Sequence, residues 1–249
     1  MKALFISVRT GSTRLPNKAT LDLCGRPTIE YLIDNLKKSV LADRIVLCTT
    51  QLDEDDILCR LAKKNGISSF RGSSDDKIER WRSACEAYNI QFFVNVDGDD
   101  LFFDYGLADL CFEQYDTYGT DFIDGRGLYN DVYGISYDSL KKVCNSKPDS
   151  DTEFIRPHFM SPRYDFVVES VKRVPEKYLK KEIRMTLDYE EDLRFFEAVI
   201  GHFASNGLEL EFQAILDYLE LQPDIVAINW AREQNWRDNQ KKMIDCVNV

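Results

Sequence analysis

The chain has 249 residues, 44% of them hydrophobic and 30% charged, and 32 Lys and Arg against 43 Asp and Glu give a formal net charge of −11 at pH 7. Such a composition is globular and excludes a disordered, collagenous or coiled-coil chain, while the acidic balance repels nucleic acid and anionic membrane surfaces. At roughly 150 residues per domain, the length allows between one and two domains.

Residues 3–8 form an apolar first strand that stops at Arg9 without a small-residue cleavage site. A secretory leader is therefore not expected, and no apolar run is long enough for a membrane span. Seven scattered cysteines lack CxxC spacing, and His158 and His202 are the sole histidines. That pattern predicts reduced core thiols in a cytoplasmic protein, with no His-based metal cluster or Ser-His-Asp triad.

Further β-branched runs at residues 44–48, 67–70 and 92–96 alternate with stretches of helical periodicity. Ile29, Leu32, Ile33 and Leu36 share one face of a helix over 28–38, with Pro27 at its first position. Residues 52–65 carry Ile57, Leu58, Leu61 and Ala62, with Asp53 as N-cap and Gly66 past the end. Over 75–88, Ile78, Trp81, Cys85 and Tyr88 fall on one side. Apolar strands separated by single helices predict a parallel sheet covered on both faces. In such sheets ligands sit beyond the C-terminal strand ends, here the loops after Val8, Cys48, Phe70 and Val96.

The second half is less regular. Residues 121–137 read as a hairpin turning at Asp124-Gly125, and 166–171 as another strand. Residues 188–202 form a helix with Leu193, Phe196 and Ile200 on one face, and Asp188 with Glu191 is spaced as a capping box. A short helix over 213–219 and a polar one over 229–245, carrying Trp230 and Trp236, complete the chain. With no repeat or linker, the expectation is a single α/β domain over 1–249, built on an open, mixed, mostly parallel sheet with an inserted hairpin region at 120–185.

The loop after the first strand inverts the charge of the molecule. Residues 1–28 hold Lys2, Arg9, Arg14, Lys18 and Arg26 against Asp22 alone. Gly11, Ser12 and Thr13 let backbone N–H groups approach a phosphate, while Arg9, Arg14 and Lys18 supply charge and donors. This is the composition of an anion cradle, although it is neither a Walker A loop nor a GxGxxG fingerprint; a solvated basic turn is the plain alternative. At the end of the fourth strand stands Asp97-Gly98-Asp99-Asp100. Two like charges 4 Å apart cost about 4 kcal/mol at an effective dielectric of 20. Carboxylates facing a polyphosphate therefore call for a divalent cation between them, unless this is simply an acidic turn.

Three blocks resemble the signatures of the cytidylyltransferases, and most closely the spore-coat polysaccharide branch. They are Arg9-x-Gly11-Ser12-Thr13-Arg14-Leu15-Pro16-x-Lys18, Phe70-Arg71-Gly72-Ser73-x-Asp75-Asp76-x-x-x-Arg80, and Leu187-Asp188-Tyr189-x-x-Asp192-Leu193. Enzymes that make CMP-Kdo and CMP-sialic acid are more distantly similar. The resemblance implies a Rossmann-like fold, CTP as donor, Mg²⁺ as cofactor, a small anionic acceptor, and a homodimer made through the inserted region. It implies Lys18, Arg9 and Arg14 as catalytic residues, and Gly11, Ser12, Thr13, Thr49 and Arg71 as nucleotide-binding. Asp99 and Asp188 would bind the metal. Two positions depart from the pattern: Ser7-Val8-Arg9 stands where the family usually has Gln-Ala-Arg, and Asp97-Gly98-Asp99-Asp100 lacks the usual Pro.

Several residues keep two readings. Asp188 suits either a metal or a helix cap, Thr49 either a base edge or a strand end, and Arg71 either nucleotide or acceptor. Asp76 and Arg80 could form an i, i+4 surface pair. Arg126, Glu153, Arg156, His158 and Arg163 lie in the stretch expected to cover the acceptor. The implied reaction is transfer of CMP to a sugar acid, phosphate or phosphonate with release of pyrophosphate. A nucleotidyltransferase for another base, or a non-catalytic nucleotide-binding protein, are the alternatives.

Overall fold

The computed structural model describes residues 1–147, 152, 154–179 and 182–245, so Glu153 and Cys246 lie outside it. β1 (Lys2–Ser7) is buried along almost its whole length. Leu4 and Ile6 enter one apolar cluster, while Ala3 and Phe5 enter another on the opposite face. That alternation is the period of two of a strand covered on both sides. After β1 a small hairpin, β2 (Asp22–Leu23) with β3 (Arg26–Pro27), leads into α1 (Thr28–Leu36). Its turn uses left-handed Cys24 and Gly25, with φ of 50° and 83°, and sequence periodicity gave no sign of it. Pro27 is the N-cap of α1, not its first helical residue.

β4 (Arg44–Thr50), α2 (Asp56–Lys64), β5 (Ser68–Gly72), α3 (Lys77–Tyr88) and β6 (Phe92–Asp97) follow in the predicted alternation. A single turn of 3-10 helix over Asp53–Asp55 precedes α2, so Asp53 does not cap it. Then come α4 (Tyr105–Tyr118), β7 (Phe122–Asp124), β8 (Tyr133–Ser136), α5 (Tyr137–Ser146), the four-residue α6 (Arg156–Phe159) and β9 (Val168–Ser170). The chain closes with α7 (Glu190–Ser205), α8 (Phe212–Glu220) and α9 (Pro223–Asp245). α9 begins six residues before the predicted 229, because Pro is tolerated in a first helical turn and Ile225, Val226 and Ile228 pack against the core.

The strand order is β5-β4-β1-β6-β8-β7-β9. β1 pairs in parallel with both β4 and β6, and β4 with β5. β8 runs antiparallel to β6 and β7, and β9 is parallel to β7. The sheet is thus mixed and mostly parallel, and the predicted hairpin forms its far side. α1, α2, α4, α7 and α8 cover the larger cluster, whereas α3 and α5 cover the smaller one around Trp81. Trp81 is a core residue, as its helical spacing predicts, and its Nε1 donates to Ser7 Oγ at 2.9 Å.

The chain leaves β1 first toward β4 and only later returns to its other side as β6. Ligand crevices form where strand order reverses in this way. The register pairs Ser7 with Asp97, so the basic loop and the acidic turn leave the sheet side by side. Gly98 makes that closeness sterically permissible. Its N–H donates to the Ser7 carbonyl at 2.9 Å, and a Cβ built on it would lie 2.7 Å from the Val8 Cβ. Gly98→Ala must push the two strand ends apart. It should cost about 1–3 kcal/mol, measured as a shift in urea midpoint at unchanged m-value.

Candidate active site

Thr10 is the pin of the basic loop. Its N–H and hydroxyl both donate to Asp55 Oδ1, at 2.8 and 2.7 Å. Its carbonyl accepts from the N–H groups of Ser12 and Asn17 at 2.7 and 3.2 Å, which folds the loop back on itself. Asp55 Oδ2 takes Thr50 through both its hydroxyl and its N–H, so one buried carboxylate joins the loop after β1 to the end of β4. The Ser12 N–H is thereby engaged inside the loop, whereas the cradle expected from composition has it facing a ligand.

The loop delivers Lys18 to the middle of a cleft of about 470 Å³ at the C-terminal sheet edge. Its Nζ lies between Asp99 and Asp188, contacting Asp99 Oδ2 directly and Asp188 Oδ1 at 3.0 Å. Arg14 Nη2 donates to the same Asp188 oxygen at 2.5 Å. Asp188 arrives from the far end of the chain on an extended segment that adds to the acidic turn, the Leu187 N–H donating to the Asp99 carbonyl at 3.0 Å. The cap of α7 is made without the Asp188 side chain. Tyr189 is the N-cap residue, and Asp192 Oδ2 accepts from the N–H groups of Tyr189 and Asp188 at 2.9 and 2.8 Å. The pairing expected between Asp188 and Glu191 is thus one residue out of register, and the Asp188 carboxylate is released to the cleft.

Burial works against the charge on Lys18, but Asp99 and Asp188 outweigh it and raise its pKa. Burial likewise works against ionised Asp188, and Lys18 and Arg14 outweigh it and lower that pKa. Asp99 is held above the ordinary carboxylate range by burial, reinforced by Asp188 and Asp97, in spite of Lys18. Asp100 behind it is pushed well up by burial and by Asp99 and Asp97. Asp97 itself accepts from Lys77 Nζ at 2.8 Å. This edge is therefore rich in oxygen and short of cations for its acids.

Arg9, Gly11, Ser12, Thr13, Arg14 and Lys18 all line the cleft with Asp99 and Asp188. Thr49 and Arg71 do not. Thr49 is fully buried in β4, and Arg71 is engaged with the loop after it, donating to the Thr50 and Leu52 carbonyls at 3.1 and 2.9 Å and pairing with Asp56. Asp76 and Arg80 are not a surface pair. Asp76 caps α3 through the Glu79 N–H, while Arg80 is buried and donates to the Ser73 carbonyl at 2.6 Å. Of the residues expected over the acceptor, Arg156 lines the cleft and holds Asp124 at 2.7 Å. Arg163 reaches the Ser146 carbonyl instead, and Arg126 is exposed at the hairpin turn. Sequence reasoning missed Asp55, Lys77 and Arg184. Asp55 binds Thr10 across 45 positions, Lys77 binds Asp97 across 20 and Arg184 reaches Glu233 across 49, and spacing carries no signal for such contacts.

A sheet with this order, whose rim joins a basic loop to paired carboxylates, defines a nucleotidyltransferase of Rossmann-like fold. A family model for cytidylyltransferases matches residues 3–230, and the chain belongs to that family. It is 31% identical to an uncharacterised protein of Methanocaldococcus jannaschii over 94% of this chain and 96% of that one. It is 26% identical to the spore coat polysaccharide biosynthesis protein SpsF of Bacillus subtilis, over 88% and 94% of the two chains. Among solved structures, a cytidylyltransferase from Leptospira borgpetersenii superposes with a TM-score of 0.78 at 24% identity, covering 90% of this chain and 96% of that chain. A CMP-2-keto-3-deoxy-manno-octonic acid synthetase complexed with CTP gives 0.63 at 12% identity, over 81% and 98%. No helix among the described residues is long and apolar enough to cross a membrane.

Asp55 gives this arrangement a measurable acid dependence. Burial raises its pKa, but hydrogen bonds from Thr50 and Thr10 outweigh that and hold it below the ordinary 3.8. A depressed carboxylate contributes stability that is complete above its unfolded pKa and is lost as pH falls through the folded one. Asp55→Asn should therefore destabilise by about 1–3 kcal/mol at pH 7, and the gap to wild type should close below pH 3.8. Urea unfolding at both pH values reads it.

Proposed function

We propose that the protein transfers CMP from CTP to an acidic sugar-type acceptor and releases pyrophosphate. The observation that carries this reading is the convergence of Lys18 from the basic loop with Asp99 and Asp188 from two distant segments. Its relatives point the same way: one is a spore coat polysaccharide biosynthesis protein, and a CMP-2-keto-3-deoxy-manno-octonic acid synthetase of similar fold was solved with CTP.

Asp99 and Asp188 suit a magnesium ion. Their oxygens already converge on one positive centre, the Lys18 ammonium, and an all-oxygen set with two carboxylates is what Mg²⁺ takes alongside phosphate and water. Among the described residues no group of three His, Cys, Asp or Glu side chains forms a complete protein cage, so the remaining ligands would come from the nucleotide. When bound there, the ion would polarise the α-phosphate and offset charge on the triphosphate.

The chain's own part is positioning and charge stabilisation, which dominate phosphoryl and nucleotidyl transfer. Arg9, Arg14 and Lys18 hold the triphosphate, with Gly11 and Thr13 allowing the backbone a close approach. An acceptor oxygen attacks the α-phosphorus in line; the new P–O bond forms as the bond to the bridging oxygen breaks, and pyrophosphate carries the leaving electron pair. No covalent enzyme intermediate is needed. The acceptor would take the β8–β7 side of the cleft, which Tyr133 and Arg156 line.

Three measurements test the reading. In a thermal-shift panel of the four NTPs with Mg²⁺, CTP should give the largest stabilisation. Pyrophosphate release should require CTP together with an acidic sugar; tight CTP binding without turnover on any acceptor would leave a binding protein. Lys18→Gln should lower turnover about 10²- to 10³-fold, by comparison with the loss of one preorganised donor, and undiminished turnover sinks the mechanism.

A further inference from the structure

Behind Asp188 lies Arg184, a residue that no motif singles out. Its side chain is 1% exposed and every arm of its planar fork is engaged. Nε and Nη2 grip Asp192 at 2.8 and 3.0 Å, Nη2 also reaches Asp188 Oδ2 at 3.3 Å, and Nη1 reaches Glu233 Oε2 at 3.3 Å. The Arg184 carbonyl accepts from Asn229 Nδ2 at 3.1 Å, and the same amide donates to Asp192 at 2.9 Å. Asn229 and Glu233 are one turn apart on α9, and the guanidinium sits over the rings of Tyr189 and Trp236, at 5.6 and 5.9 Å.

The consequence is a division of labour between the two oxygens of Asp188. Oδ2 is tied inward to Arg184, whereas Oδ1 faces the cleft with Arg14 and Lys18. A carboxylate held by one oxygen cannot rotate, so the other keeps a fixed direction. Stability alone is a weak reason for such a cluster. Buried ion pairs gain little over well-packed apolar groups, and the three acids that meet this guanidinium include two with cations of their own, Asp188 with Lys18 and Arg14 and Glu233 with Arg237. We infer that Arg184 is a positioning residue for Asp188 Oδ1, and that α9, through Glu233 and Asn229, is its outer support. The inference rests on the proposed role of Asp188 as a metal ligand and extends it to the C-terminal helix.

Full-length wild type, Arg184→Lys, Glu233→Gln and Asp188→Asn are compared by direct Mn²⁺ binding, read by electron paramagnetic resonance with and without CTP, alongside melting temperatures. Lysine keeps the charge but not the fork. Loss of a residue that orients a metal ligand weakens metal binding about 10- to 100-fold. Arg184→Lys should raise the Mn²⁺ dissociation constant by that factor, and Glu233→Gln should move it the same way by less. If Arg184→Lys does not fold, Glu233→Gln decides alone. Unchanged Mn²⁺ affinity in the folded variants, with Asp188→Asn defective, overturns the positioning role and leaves Asp188 as ligand. Wild-type Mn²⁺ binding by Asp188→Asn overturns the reading of Asp188 itself.

Discussion

The cleft is organised by one buried ammonium. Among the described residues, the Lys18 ammonium contacts both Asp99 and Asp188, which belong to segments 89 residues apart in the chain. Without a cation between them, two such carboxylates at the rim of a low-dielectric sheet would repel and take up protons; burial, reinforced by Asp188 and Asp97, holds Asp99 above the ordinary carboxylate range even beside Lys18. Everything nearby serves to bring these three groups to one point. Asp55 fixes the loop that carries Lys18, Gly98 lets β6 close against β1, and the Leu187 amide draws the Asp188 segment onto the acidic turn.

The parallel half of the fold was legible because both of its sheet faces are covered. Uninterrupted apolar runs at β1, β4 and β6 then have a single reading, and the helices between them keep clean apolar stripes. Boundaries were less legible where polar residues could serve at more than one position. Asp188, Tyr189 and Asp192 offer overlapping ways to start α7, and the choice between them is made by Arg184, which holds Asp192 in place for both amides. α9 extends further toward its N-terminus than its polar sequence implied, because its apolar positions pack on α7 and α8 through contacts that a single helix cannot announce.

The site divides along the same line. The basic loop could be picked out because its local composition departs from that of the whole chain, whereas the two aspartates were marked by the resemblance to the cytidylyltransferases. Thr49 and Arg71 were grouped with them because they follow strands at the binding edge, but a strand end has two sides. Arg71 turns back to hold the loop between β4 and α2, and Thr49 points into the sheet's interior. Asp55 and Arg184 went unnoticed for the complementary reason. Each is an ordinary charged residue whose meaning comes from folding, one binding Thr10 across 45 positions and the other reaching Glu233 across 49.

The placement of the Lys18 ammonium also couples two kinds of ligand. It occupies oxygens of Asp99 and Asp188 that the proposed divalent cation would take, and an ammonium displaced from them would need another anion to lean on. A polyphosphate drawing that ammonium away uncovers the same oxygens. By mass action the two arrivals favour one another to an equal degree. On the proposed reading, the ion pair of Lys18 with Asp99 and Asp188 would hold the place of both ligands until they arrive.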